Sequence, residues 1–209
     1  MRSMKQLMKS VVMVVGFVLV LPATALAAPP GATVTYTPNY SYAFQGIYTT
    51  TEGVNSATAS ASKSGLLTVS SSSDCTTVPV CSDTSAHGSA SAGSTYRAKN
   101  GVSLKAIATF TVTDSFLSGG PGTFQGNWLR LQLSSGTVRS NCRQAAPEGV
   151  TSDAPVTVVV ECTLGPADGT SVFVYGSATT DSFDDIGDSI AATSRLSATL
   201  ESLQIGPQQ

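Results

Sequence analysis

The sequence predicts an all-β protein, an antiparallel β-sandwich of the jelly-roll type, exported and held by two disulfides. Three observations predict it. Apolar residues recur at every second position through much of the chain, the period of a strand with one buried face. Helix signals are nearly absent beyond the first thirty residues. Four cysteines follow an N-terminal export signal, and an even count in that setting reads as a disulfide framework.

The export signal comes first along the chain. Arg2, Lys5 and Lys9 precede an apolar run from Val11 to Leu21, which Pro22 ends; Ala25-Leu26-Ala27 follows. A basic segment, a short apolar segment and a small-x-small site make a secretory signal peptide. The run is about half the roughly 20 residues that a membrane-spanning helix needs, so an uncleaved anchor is the weaker reading. Cleavage after Ala27 shortens the 209 residues to 182, one domain spanning 28–209. Losing Arg2, Lys5 and Lys9 from eleven cations leaves eight against thirteen acids, a net charge of −5. That balance excludes a general nucleic-acid binder, which needs a basic footprint. No later apolar stretch is long enough to span a membrane. The expected location is secreted, extracellular or periplasmic.

Strands are expected near 32–37, 40–48 and 65–70. Residues 55–64 and 82–95 are rich in Ser, Ala, Thr and Gly, a composition suited to surface loops or to small-residue edge strands. Ala57, Ala59 and Ala61 alternate with Thr58, Ser60 and Ser62, which favours a strand within 55–64. For residues 82–95 a flexible surface loop is the plain reading, with a small-residue edge strand the alternative. In 102–112, Val102, Leu104, Ala106, Ala108, Phe110 and Val112 share one parity, with Ile107 the exception. In 128–133, Leu129, Leu131 and Leu133 alternate with Trp128, Arg130 and Gln132. In 156–162, Val156, Val158, Val160 and Cys162 share a face; Val159 opposes them, so cover on both sides is expected. Val172 and Val174 alternate with Phe173 and Tyr175, which also suggests two buried faces. In the last strand Leu196, Ala198 and Leu200 share one parity, and Leu203 and Ile205 take the other. Only an extra residue lets a strand change phase and stay on the core, so a β-bulge is expected near Glu201–Ser202. The set comes to about eight or nine strands without crossover helices, hence an antiparallel sandwich.

Cys75, Cys81, Cys142 and Cys162 allow three pairings. Nearness along the chain favours Cys75–Cys81 and Cys142–Cys162. A zinc site is the weaker alternative, since no CxxC occurs and His87 is the only histidine.

Candidate chemistry is sparse. A Ser-His-Asp hydrolase would have to use His87, which sits in SAHGSAS without the elbow of G-x-S-x-G enzymes; a solvated loop histidine is the plainer reading. Asp181, Asp184, Asp185 and Asp188 crowd into DSFDDIGD. Catalytic carboxylates of glycosidases are placed by a cleft, whereas these lie in one short stretch, read as an exposed acidic turn. A structural Ca²⁺ is the alternative for these four aspartates, and no other cofactor is expected. Trp128 has the parity opposite to the leucines, so it is a candidate sugar-stacking residue; cross-strand packing is the competing role. Asn39-Tyr40-Ser41 matches a glycosylation sequon and carries no assigned function.

Residues 101–138 bear Gly101, Leu104, Lys105, Ala106, Phe110, Asp114, Gly122, Gly126, Leu129, Leu131 and Leu133 in the pattern G-x-L-K-A, a strand ending in Asp, a Gly-rich turn and L-x-L-x-L. This resembles the secreted β-sandwich domains of bacterial PEP-CTERM-type surface proteins. FVYGSA and SATLESLQI look like the closing half, so the resemblance covers roughly 101–205. It implies a sandwich and no catalytic residues. The chain departs from that family at IGPQQ, where neither the Pro-Glu-Pro motif nor an apolar anchor follows. The expected function is a non-catalytic extracellular structural, adhesive or interaction protein, with a glycan or surface protein as partner. A carbohydrate-binding module is the second expectation and a secreted hydrolase the third.

Overall fold

The computed structural model describes residues 33–36, 40–49, 54–74, 84–120, 123–184 and 191–208. The signal peptide, Asn39, Cys75, Cys81, Asp185 and Asp188 lie outside these residues, and so does the expected Cys75–Cys81 pairing. No helix occurs among the described residues. The strands are β1 (Val34–Tyr36), β2 (Tyr40–Thr49), β3 (Val54–Ala61), β4 (Leu66–Asp74), β5 (Thr84–Arg97), β6 (Leu104–Ser118), β7 (Thr123–Ser135), β8 (Val138–Ala145), β9 (Val156–Leu164), β10 (Ser171–Asp184) and β11 (Ala192–Pro207). The eleven exceed the eight or nine expected, chiefly because β5 and β8 carry few large apolar residues.

Two antiparallel sheets pack face to face. The first runs β3-β4-β11-β6-β9, with β1 on the edge of β11 beyond β4; the second runs β2-β5-β10-β7-β8. Across the interior β4 meets β5, β11 meets β10, β6 meets β7 and β9 meets β8. Period-two patterning accounts for the core. Leu104, Ala106, Ala108, Phe110 and Val112 of β6 are all buried, and so are Leu129, Leu131 and Leu133 of β7. Each such leucine or phenylalanine contributes about 1.5–3 kcal/mol by leaving water.

The bulge falls where the phase change demands it. In β11, Leu200 pairs with Phe110 and Ser202 with Thr109, so Glu201 is the extra residue. Leu196, Ala198 and Leu200 before it, and Leu203 and Ile205 after it, are all buried. A second shift opposes Ser197 to Asp114 and Ala198 to Val112. Here Thr113 is the extra residue, on β6, and its hydroxyl contacts the Ser197 backbone oxygen at 3.4 Å.

Three expectations are corrected. Residues 84–97, which take in most of the 82–95 segment read as a loop, form β5, which is paired on both sides by β2 and β10. Small residues are required there: a Cβ on Gly88 would lie 2.9 Å from the Thr58 carbonyl oxygen, on the facing sheet. Val159 is 47% exposed, so β9 is covered on one side only. Phe173 is 53% exposed, so β10 near Val172 and Val174 is likewise one-sided.

Cys142 of β8 and Cys162 of β9 form a disulfide as expected. The two strands are the matching edges of opposite sheets, so the bond clasps one open side of the sandwich. The interior is not uniformly apolar. Ser71, Ser73, Ser115, Asn127, Thr180, Ser182 and Ser194 are buried toward one end. Asn127 Nδ2 reaches from β7 across to the first sheet, donating to Arg195 O at 2.8 Å and Ser115 Oγ at 3.1 Å. Ser73 Oγ crosses the other way, donating to Ser182 O at 3.1 Å.

Candidate ligand-binding face

Because Leu129, Leu131 and Leu133 point inward, the pleat turns Trp128, Arg130 and Gln132 to the outer face of the second sheet. Register then builds rows across that face. Trp128 stands beside Thr179 of β10, and Thr179 beside Ser89 of β5. Arg130 stands beside Ser177, and Ser177 beside Ser91; Gln132 stands beside Tyr175, and Tyr175 beside Gly93. In β2, the residues in register with Gly93, Ser91 and Ser89 are Tyr40, Tyr42 and Phe44. Ser177 and Thr179 are each only 2% exposed although they face outward. The face thus steps down from Trp128 and Arg130 on β7 to a hydroxyl-lined floor on β10 and β5.

Trp128 is half-buried and lies along the sheet. A Cβ on Gly126 would sit 2.5 Å from its indole Nε1. Arg143 of β8 places its guanidinium 4.6 Å from the ring centroid, a cation–π contact of about 0.5–1 kcal/mol at an exposed site. Phe173 and Phe124 are the exposed aromatics toward the two ends of the face. The ten residue steps of β10 from Phe173 to Phe183, the partner of Phe124, extend about 33 Å.

Beside Trp128, the face carries a pair that sequence reasoning missed. His87 Nδ1–H donates to Asp181 Oδ1 at 2.6 Å, with the side chains 27% and 35% exposed. The partners are 94 residues apart and meet only because β5 pairs with β10, His87 opposite Asp181. His87 is therefore not a solvated loop residue. Asp181 belongs to a strand, and Asp184 closes the same strand; of the acidic turn, Asp185 and Asp188 fall outside the described residues. Trp128 and Asp181 do share a face: Asp181 opposes Gly126, beneath the indole. Among the described residues there is no cluster of three or more His, Cys, Asp or Glu side chains that could hold a metal ion.

A histidine oriented by a carboxylate is part of a hydrolase triad. Both neighbours of β5 pair with it at His87, Gly46 on one side and Asp181 on the other. The backbone N–H groups of these described residues serve the ladders.

The two outer faces differ in charge. On the first sheet, Lys105 Nζ lies 2.7 Å from Glu161 Oε2, and Arg195 binds the Asp114 carboxylate through Nε and Nη2. On the second, Arg97, Arg130, Arg139 and Arg143 face out from β5, β7 and β8, and none forms an ion pair among the described residues.

No protein-family profile matches the chain, and no curated protein is similar to it.

Proposed function

We propose that the protein is a secreted, non-catalytic binding module of the jelly-roll class that holds a glycan on the outer face of its second sheet, as an adhesive or interaction protein. Support for the fold class is the strand order. Eight consecutive strands, β4 to β11, wind into two four-stranded arrays, β4-β11-β6-β9 and β5-β10-β7-β8, the arrangement of a double Greek key. Support for export is the N-terminal signal pattern, and the disulfide is compatible with an oxidising compartment. The resemblance of 101–205 to surface-protein sandwiches points the same way.

The observation that carries the ligand reading is Trp128. Its half-buried indole stands on a face with the partly exposed polar side chains of Ser89, Arg130 and Gln132, which combines a flat apolar ring with hydrogen-bonding groups. A sugar presents the same two chemistries, an apolar ring face and a rim of hydroxyls. The test is a glycan array probed with the secreted protein and with Trp128→Ala. Binding that falls at least tenfold in the variant supports the reading. Failure of the native protein to bind any glycan, or unchanged binding by Trp128→Ala, overturns it.

A further inference from the structure

Arg143 rests on the Trp128 ring, but its pairing with Arg130 sets two like charges side by side. The two residues are directly opposed across β7 and β8, where Cα atoms stand about 4.5–5.5 Å apart. Like charges in that position repel and destabilise a sheet. On the outer face of the first sheet, by contrast, Lys105 has Glu161 and Arg195 has Asp114. Here no acid is supplied. Along the outward positions of β5, β7, β8 and β10 the only described acid is Asp181, and His87 already holds it. Arg130 Nε is buried with no hydrogen-bond partner. Arg139 follows on the same face of β8, four residues before Arg143.

We infer that this face binds an acidic polysaccharide, its carboxylate groups taken by Arg130 and Arg143 and, further along β8, by Arg139. The inference rests on the reading of this face as the glycan-binding surface and adds the class of glycan. A guanidinium fork matches a carboxylate in two parallel hydrogen bonds. An anion between Arg130 and Arg143 also turns their repulsion into attraction. The ring of Trp128, which Arg143 already touches, lies within reach of a sugar bound there. Ser89 offers a hydroxyl, and Gln132 and Asn141 offer amides, for the sugar's own hydroxyl rim. The face is extended, which suits a polymer more than a single sugar.

The test uses the secreted protein in affinity electrophoresis and titration calorimetry with polygalacturonate, with its fully methyl-esterified form and with a single-stranded DNA oligonucleotide. Polygalacturonate should bind, with an affinity that falls as salt rises. The ester, which keeps the backbone and loses the charge, should bind at least tenfold more weakly. Arg130→Gln and Arg143→Gln should each weaken polygalacturonate binding about 10- to 100-fold, as loss of a charge-assisted hydrogen bond does. Without ligand, Arg130→Gln should raise Tm by about 1–3 °C by relieving the opposed charges. Arg139→Gln, at an exposed edge position, supplies a second variant whose folding is not at stake; its binding should fall as well. Equal binding of acid and ester, or arginine variants that bind as the native protein does, overturns the acidic class and leaves the glycan reading standing. Binding of the oligonucleotide more tightly than polygalacturonate through the same arginines overturns the assignment to a glycan. If neither polysaccharide binds, the inference fails, and the Trp128→Ala array separately decides the parent reading.

Discussion

Gly126 leaves open the space that the Trp128 indole fills. Any side chain there meets Nε1, since even a Cβ would stand 2.5 Å away. The colliding atom is the far end of a side chain that can rotate, so the ring should move and the backbone should not. Gly126→Ala should therefore lift the indole from the sheet and separate it from Arg143. Loss of that contact is worth about 0.5–1 kcal/mol, or a Tm lower by roughly 1–4 °C in a domain of this size. Trp128 is the chain's only tryptophan, so its fluorescence reports the displacement directly. An emission spectrum unchanged by the substitution would contradict the packing described. Trp128 itself was legible in the sequence, because its parity opposed that of three leucines. Its partners were not. Arg143 lies on β8, a strand whose sequence VRSNCRQA has no apolar alternation, and Arg130–Arg143 exists only through the register of β7 with β8. Likewise His87 and Asp181 meet through strand pairing that no local pattern encodes.

The legibility of a strand followed its apolar contrast. β6, β7 and β11 each bury large residues at alternate positions, and all three could be read along the chain. β5 could not, because SAHGSASAGST offers side chains too small to mark an inside and an outside; the close approach of the facing sheet at Gly88 explains why they are small. The bulge in β11 was readable since a period of two admits no other way to change phase, and that logic predicts two deletions. Removing Glu201 dissolves the bulge and leaves Leu196, Ala198, Leu200, Leu203 and Ile205 on a single parity. The protein should tolerate it, losing no more than about 1 kcal/mol. Removing Thr199 instead sends Leu200 outward or turns Glu201 inward, with the loss of a buried leucine at about 1.5–3 kcal/mol and the added cost of a desolvated acid. Urea titrations of the two variants would rank them, and equal destabilisation would contradict the assigned register. The edge clasp allows a second comparison. Cys142 and Cys162 are 20 residues apart, and closing a loop of that size in the unfolded chain stabilises the fold by about 3 kcal/mol. Replacing both cysteines with serine should lower the unfolding free energy from urea titration by that amount, with a matching fall in the midpoint, and should also bury a serine hydroxyl at position 162. A midpoint that stays put would mean that the edges of β8 and β9 hold together without the bond.

The molecule is completed only by its last two strands. β11 lies at the middle of the first sheet and β10 at the middle of the second. Without β11 the first sheet separates into β3-β4 and β6-β9, and β1 loses its only partner; without β10 the second separates into β2-β5 and β7-β8. What remains is a set of two-stranded ribbons, each marginal in water. The core divides with them, because Leu196, Leu200, Leu203 and Ile205 of β11 and Val172 and Val174 of β10 fill the space between the sheets. The strands that β11 joins are far apart in sequence, so the entropy of closing those loops must be met before the contacts reward it. A nascent chain cannot close its sheets until residue 207 has emerged. It follows that a chain ending at Thr170 should not fold. Its far-ultraviolet circular dichroism should lack the strand signal of the full protein, and heating should give a sloping change in place of a sigmoidal transition. A cooperative melt from that truncated chain would show that the ribbons left by the loss of β10 and β11 can form a core among themselves, and the fold would not depend on its two central strands.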